Sequence, residues 1–159
     1  MRRSDLHSLF INEFHSGKRP LPPTAGQLRD IEVRLDAALP RSYLEFMMAH
    51  GGAFTPSVLA LILDRRRCID DLQEIHGMWD VVGRNRGYWA SGMPRELVSF
   101  GNDCMGNPFC FRTREAGVER PDDLPVLFFD HDRFDLREVS PSFDDFLDSL
   151  LSLKRIAVG

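Results

Sequence analysis

Between residues 97 and 140 four short runs, LVSFG, NPFCFRT, LPVLFFD and FDLREVS, are rich in Val, Leu and Phe and are separated by Gly, Asn, Asp and Pro. Runs of this length bounded by turn residues read as β-strands, and the last two need only a hairpin at His131 to Arg133. Connections this short join neighbouring strands running in opposite directions, so the segment predicts an antiparallel meander. Everything else in the chain must cover a face of that sheet.

Helical periodicity dominates the N-terminal third. Leu6, Leu9, Phe10 and Phe14 recur at helical spacing behind Ser4 as a cap, and SGKRPLPP stops the helix. Thr24 and Gln27 have capping-box spacing ahead of Leu28, Ile31 and Leu35, which predicts a second helix over 25–37. Pro40 opens a third helix, with Tyr43, Leu44, Met47 and Met48 on its buried side, His50 near its negative end and Gly51-Gly52 at a left-handed cap. The apolar run SVLALIL, residues 57–63, reads as a strand, and Ile69, Leu72 and Ile75 as one or two helical turns. Residues 77–94 contain four glycines, Pro94, Trp79, Tyr88 and Trp89, and read as a long loop in which Trp79 pins the chain to the core. After Ser140-Pro141-Ser142, Phe143, Phe146, Leu147, Leu150 and Leu151 close the chain with an amphipathic helix.

Helices, then strands, then one helix give an α+β fold: a mostly antiparallel sheet with helices covering one face and the opposite face free for a ligand. A chain of 159 residues with 43% apolar content and 12 Phe is enough for one domain with its own core, residues 1–23 forming an N-terminal helix and Pro-rich linker. The expected core is Leu28, Ile31, Leu35, Leu44, Met47, Phe100, Phe109, Phe111, Phe128, Phe143, Phe146 and Leu150. Three cysteines without a CxxC pair point to a reducing cytoplasm. Asp5 and Glu13 interrupt the N-terminal apolar residues, which argues against a signal peptide, and no run reaches the length of a membrane span.

The net charge of -4 disfavours generic attraction to nucleic acid and suits a basic protein partner. Arg65, Arg66 and Arg67 form a short basic run that reads as a solvated loop, whereas Asp130, Asp132, Asp135, Asp144, Asp145 and Asp148 make the C-terminal third acidic. Asp130, His131, Asp132 and Asp135 invite a metal reading. On a strand and hairpin these side chains splay apart, and a calcium loop's glycine and terminal glutamate are missing, so no metal or other cofactor is expected. Cys104 with His131 and an aspartate could be nominated as a hydrolase centre, but Asn102, Asp103 and Gly106 explain the GNDCMG turn without catalysis. No nucleophile elbow, zinc-protease pair, phosphate loop or dinucleotide fingerprint occurs. Tyr88 and Trp89 combine contact area with polar tips, as interface residues do.

Several segments in order resemble the SUKH superfamily of SMI/KNR-type domains from about Gln27 to Leu151. IEVRLDAALPRSYLEFMMAHGG resembles the family's opening helix, Leu-Pro corner, aromatic-bearing second helix and double glycine. IDDLQEI, LVSFGNDCMGNPFCF, LPVLFFDHDRFDLREVS and SFDDFLDSLL follow in register. Asn107-Pro108 departs from the acidic residue that many relatives carry after the central glycine turn. The resemblance implies a non-enzymatic bacterial immunity protein that neutralises a cognate toxin of a polymorphic or contact-dependent system, a nuclease among the partners that would suit it. The alternative it implies is a regulatory adaptor. On either reading the expected binding residues are Tyr88, Trp89, Asp130, Asp132 and Asp135, in a monomer or weak homodimer that contacts neither membrane nor nucleic acid directly.

Overall fold

The structure, a computed structural model, describes residues 1–113 and 119–155; residues 156–159 of the expected domain lie outside that description. Helix α1, Arg3–Phe14, starts from Arg2 without a side-chain cap, so Ser4 does not play that part. It buries His7, Phe10, Ile11 and Phe14 against α3, Arg41–His50, and α6, Phe143–Arg155. Arg3 ties its first turn down: Nε donates to Asp144 Oδ2 at 2.7 Å and a terminal nitrogen donates to Asp122 Oδ2 at 2.6 Å. Helix α2, Ala25–Leu35, carries the expected capping box, Thr24 Oγ1 accepting from Gln27 N while Gln27 Oε1 accepts from Thr24 N. Pro40 is the N-cap of α3, and Gly51 ends that helix at φ 77°. A Cβ on Gly51 would stand 2.9 Å from the Leu21 carbonyl, so only glycine fits there. Met48, expected on the buried side, is exposed.

The central segment differs most from expectation. Residues 57–63 are not a strand but lie in helix α4, Ser57–Asp64, which buries Val58 and Ile62 one turn apart and exposes Leu63. A short unbroken apolar run carries no period, and Pro56, with helical φ and ψ, starts a helix here. Ile69, Leu72 and Ile75 do not form helical turns. Gln73 and Ile75 are drawn into backbone pairing between β1, Ala53–Phe54, and β3, Leu97–Asn102, so that Glu74–Ile75 becomes β2. Residues 77–94 are not a long loop either: Met78–Ala90 form α5, with Met78, Val81 and Asn85 buried at helical spacing. Trp79 does not pin anything to the core. It is 79% exposed.

The four expected strands are present as β3, β4, Pro108–Arg112, β5, Val126–Asp130, and β6, Asp135–Ser140. With β1 and β2 they make a six-stranded antiparallel sheet in chain order. On one face Phe100 stacks on Phe111 with ring centroids 4.7 Å apart, and Tyr43, Phe143 and Phe146 meet them edge-on or tilted. Each such ring withdrawn from water contributes about 1.5–3 kcal/mol. Phe128, expected in the core, is only half-buried, its ring lying 4.7 Å beneath the Arg137 guanidinium at the sheet margin.

The α+β layer is therefore as expected, but the opposite sheet face is not wholly open. There α5 lies over β3, and Met93, Leu97, Cys110, Leu127 and Phe129 form a second, smaller core against Tyr88 and Trp89. On β6, Leu136 and Glu138, which pair with Phe129 and Leu127, stay exposed on that face.

Candidate protein-binding surface

Three chain segments converge at one end of the sheet. In the β5–β6 hairpin, Asp130 Oδ1 accepts the N–H groups of Asp132 at 2.9 Å and Arg133 at 3.1 Å, which closes the turn. These two hydrogen bonds hold the Asp130 carboxyl below the usual carboxylate range. Phe134 completes the reversal with φ 56°, and Asp135 then stands directly opposite Asp130 in the ladder. In the β3–β4 turn, Asp103 Oδ1 accepts from Met105 N at 2.9 Å and Asn107 N at 2.8 Å. The two turns are joined by the His131 N–H, which donates to Asn107 Oδ1 at 3.2 Å.

The end of α5 is the third segment. Tyr88 donates its hydroxyl to the Gly106 carbonyl at 3.1 Å, and Trp89 Nε1 donates to the Leu97 carbonyl at 2.8 Å. Burial raises the Tyr88 phenol, Arg84 acting weakly against it. Arg95 lies 3.7 Å over the Trp89 ring. The Phe134 ring in turn rests on Gly92, where a Cβ would come within 2.7 Å of it. The structure thus brings Tyr88 beside the two turns through Gly106, whereas Trp89 is bonded at Leu97, the other end of β3. It does not leave the two aromatics free: their polar atoms are bonded inside the fold and their bodies are half-buried.

The exposed apolar groups of this surface are others. Met105 is 73% exposed and Phe134 60%, with Leu136 beside them on β6. Asp132, Asp135 and Glu138 are exposed on the same hairpin, as are Arg133 and Arg137, the latter paired with Asp70. Reading the sequence as strands and turns missed Met105 and Phe134. Their signal was an apolar side chain inside a tight turn, where no core is within reach.

The nominated nucleophile is poorly made for that task. Cys104 is exposed, but Asp71, which accepts its N–H at 2.9 Å, also takes a hydrogen bond from the thiol and pushes it up to about 11. A catalytic thiol needs the opposite shift. A second polar group was invisible in the sequence: Ser99 Oγ lies 3.4 Å from His76 Nε2, and Glu74 Oε1 lies 3.4 Å from His76 Nδ1. The order Ser, His, Glu is that of a hydrolase relay, yet Ser99 is fully buried beneath α5 and its hydroxyl donates to the Gly101 carbonyl at 3.1 Å. The His76 imidazole, more than Arg84 at 2.9 Å, overcomes burial to hold Glu74 below the usual carboxylate range. This seam fastens α5 to the sheet.

The family model described as SMI1 / KNR4 family (SUKH-1) matches residues 22–149, from the segment before α2 into α6. The chain belongs to this family. Its SUKH-1 region contains all three segments of the surface described above, while α1 lies outside it. No curated protein matches the sequence. Among the described residues, no helix of this SUKH-1 protein is long and apolar enough to cross a membrane.

Proposed function

We propose that this SUKH-1 protein is an immunity protein that binds and neutralises a cognate toxin domain without catalysing a reaction. The observation that carries the reading is the pair of exposed apolar side chains, Met105 and Phe134, held on hydrogen-bonded turns beside the exposed carboxylates of Asp132 and Asp135. Apolar anchors on rigid supports give binding energy with little ordering cost, and neighbouring carboxylates favour a basic partner such as the cleft of a nuclease. Asp130 and the Tyr88/Trp89 turn act mainly as the frame of this surface, whereas Asp132 and Asp135 face the partner. The free cysteines Cys68, Cys104 and Cys110 suit a reducing cytoplasm.

The test is a pull-down from the native cytoplasm, followed by association kinetics with the recovered protein. One tightly held toxin domain, whose association rate falls with added salt and whose dissociation speeds up about tenfold or more with Phe134→Ala, supports the proposal. Several host proteins held weakly, or a toxin indifferent to Phe134 and Met105, would refute it.

A further inference from the structure

A different surface carries a second, independent inference. Trp79, Gly83, Arg86 and Ala90 lie along α5 at spacings of four, three and four residues, and all are exposed. This is the stripe by which one helix meets another. Trp79 is the most exposed large aromatic of the molecule, and its indole N–H has no partner among the described residues. It stands as a ridge between two grooves, one of 480 Å³ against α2 and one of 560 Å³ running over Gly83 and Gly87 toward Ser91. Beside it, Asp80 and Arg86 have no ion-pair partner among the described residues, while Arg84, bonded to Glu74 at 2.9 Å, keeps 45% of its side chain exposed.

This arrangement is complementary to itself. When two copies of α5 run antiparallel about a two-fold axis between Val82 and Gly83, residues on the same flank and nearly equally far from the axis meet. Trp79 of one copy then lies over Arg86 of the other, a cation–π pair, and Asp80 meets Arg84. Each contact occurs twice. Gly83 lies at the crossing, where its missing side chain lets the two helices approach closely. We infer that the α5 face is the docking site for a second copy of this chain, in a two-fold dimer centred between Val82 and Gly83.

With 13 residues, α5 is about 20 Å long, so one helix pair with its flanks buries an area at the lower end of stable interfaces. The dimer is accordingly weak, with a dissociation constant on the order of 10–100 µM. Met105 and Phe134 are not among the residues that pair across the axis. No toxin is needed for the test, so failure here leaves the proposed function standing, and the reverse holds as well.

The experiment is sedimentation velocity of the full chain over a concentration series, with the mass read at each point. The expected result is a reversible shift from one chain to two, with Trp79→Ala weakening the dimer about tenfold or more. Asp80→Arg alone and Arg84→Asp alone each place like charges opposite one another and remain monomeric. Mixing these two variants restores the charge pairing on both sides of the axis and gives a heterodimer, which also shows that each variant is folded. A protein that stays monomeric into the millimolar range overturns the inference. So does a dimer that ignores Trp79→Ala and both charge swaps.

Discussion

The side-chain amide of Asn85 bonds both backbone groups of Ser99: Nδ2 donates to the Ser99 carbonyl at 3.0 Å, and Oδ1 accepts the Ser99 N–H at 2.7 Å. Ser99 lies at the irregularity in the β3–β4 ladder, where register shifts between Ser99 and Gly101. A helix side chain thereby satisfies both backbone groups of a strand residue, and both residues are fully buried. Replacing Asn85 by Ala or Leu leaves two buried backbone groups unpaired, each loss costing about 1–3 kcal/mol. Urea unfolding should show Asn85→Leu destabilised by roughly 2–4 kcal/mol, although leucine is the better helix former. A change below about 0.5 kcal/mol would mean that α5 is held by its apolar face alone.

That same contact explains why α5 was illegible in the sequence. Gly83 and Gly87 each cost a helix about 1 kcal/mol relative to alanine, and by local preference 77–94 does read as a loop. The helix exists because Asn85 and Trp89 find backbone partners on β3, a strand whose neighbourhood no local pattern reveals. The run SVLALIL failed for another reason, since uniform apolarity erases the difference between periods of two and 3.6. The four strands from Leu97 to Ser140 were readable because their turns are punctuated by Gly, Asn and Asp. At the candidate surface the aspartates announce a hairpin, but Phe134 opens the strand-like run FDLREVS and Met105 sits inside the GNDCMG turn. Only their positions in three dimensions show that nothing covers them.

Cys104 offers a chemical check on the corner beside that surface. Its thiol is pushed up to about 11, first by the hydrogen bond to Asp71 and then by burial and the charges of Asp71 and Asp103. Thiolate content, and with it reactivity toward a disulfide reagent at pH 8, should be low although the residue is exposed. In a Cys68→Ser background, Asp71→Asn should raise the rate about tenfold or more, because it removes the negative charge while leaving an acceptor for the Cys104 N–H. An unchanged rate would show that access, and not the carboxylate, limits this thiol.

Acid should destabilise the fold in two steps. The His50 imidazole is held below its ordinary value, first by burial and then by the charges of His7 and Arg19, so the unfolded chain takes up a proton that the folded chain refuses. Stability is therefore lost as pH falls from about 6.5 toward the depressed folded value. Asp144 follows at lower pH. Burial opposes its ionisation, but the hydrogen bonds from His7, 2.7 Å away, and from Arg3 outweigh that and hold it below the carboxylate range. Glu74 shifts in the same direction. Their contributions are complete above about pH 4 and vanish as pH falls through the folded values. Melting temperature measured from pH 8 to 3 should fall in both windows. His50→Gln should flatten only the upper one; a variant that kept the upper step would assign it to another histidine.

Asp130 and Asp135 stand opposite each other at the mouth of the β5–β6 hairpin, where like charges destabilise an antiparallel pair. Asp130 is accounted for locally, since its carboxylate closes the turn through the N–H groups of Asp132 and Arg133. Asp135 has no such duty, and its exposed carboxylate adds to the field around Phe134. The two residues should therefore separate stability from recognition. Asp130→Ala opens the turn and should lower the midpoint of urea unfolding, as loss of a capping carboxylate does at a helix start. Asp135→Asn relieves the repulsion and should stabilise the protein by a few tenths of a kcal/mol. With the toxin recovered in the pull-down, the same Asp135→Asn variant should associate about two- to fivefold more slowly at low salt, the difference closing as salt is added. A variant both less stable and equally fast would place Asp135 in the hairpin's structure and outside the binding surface.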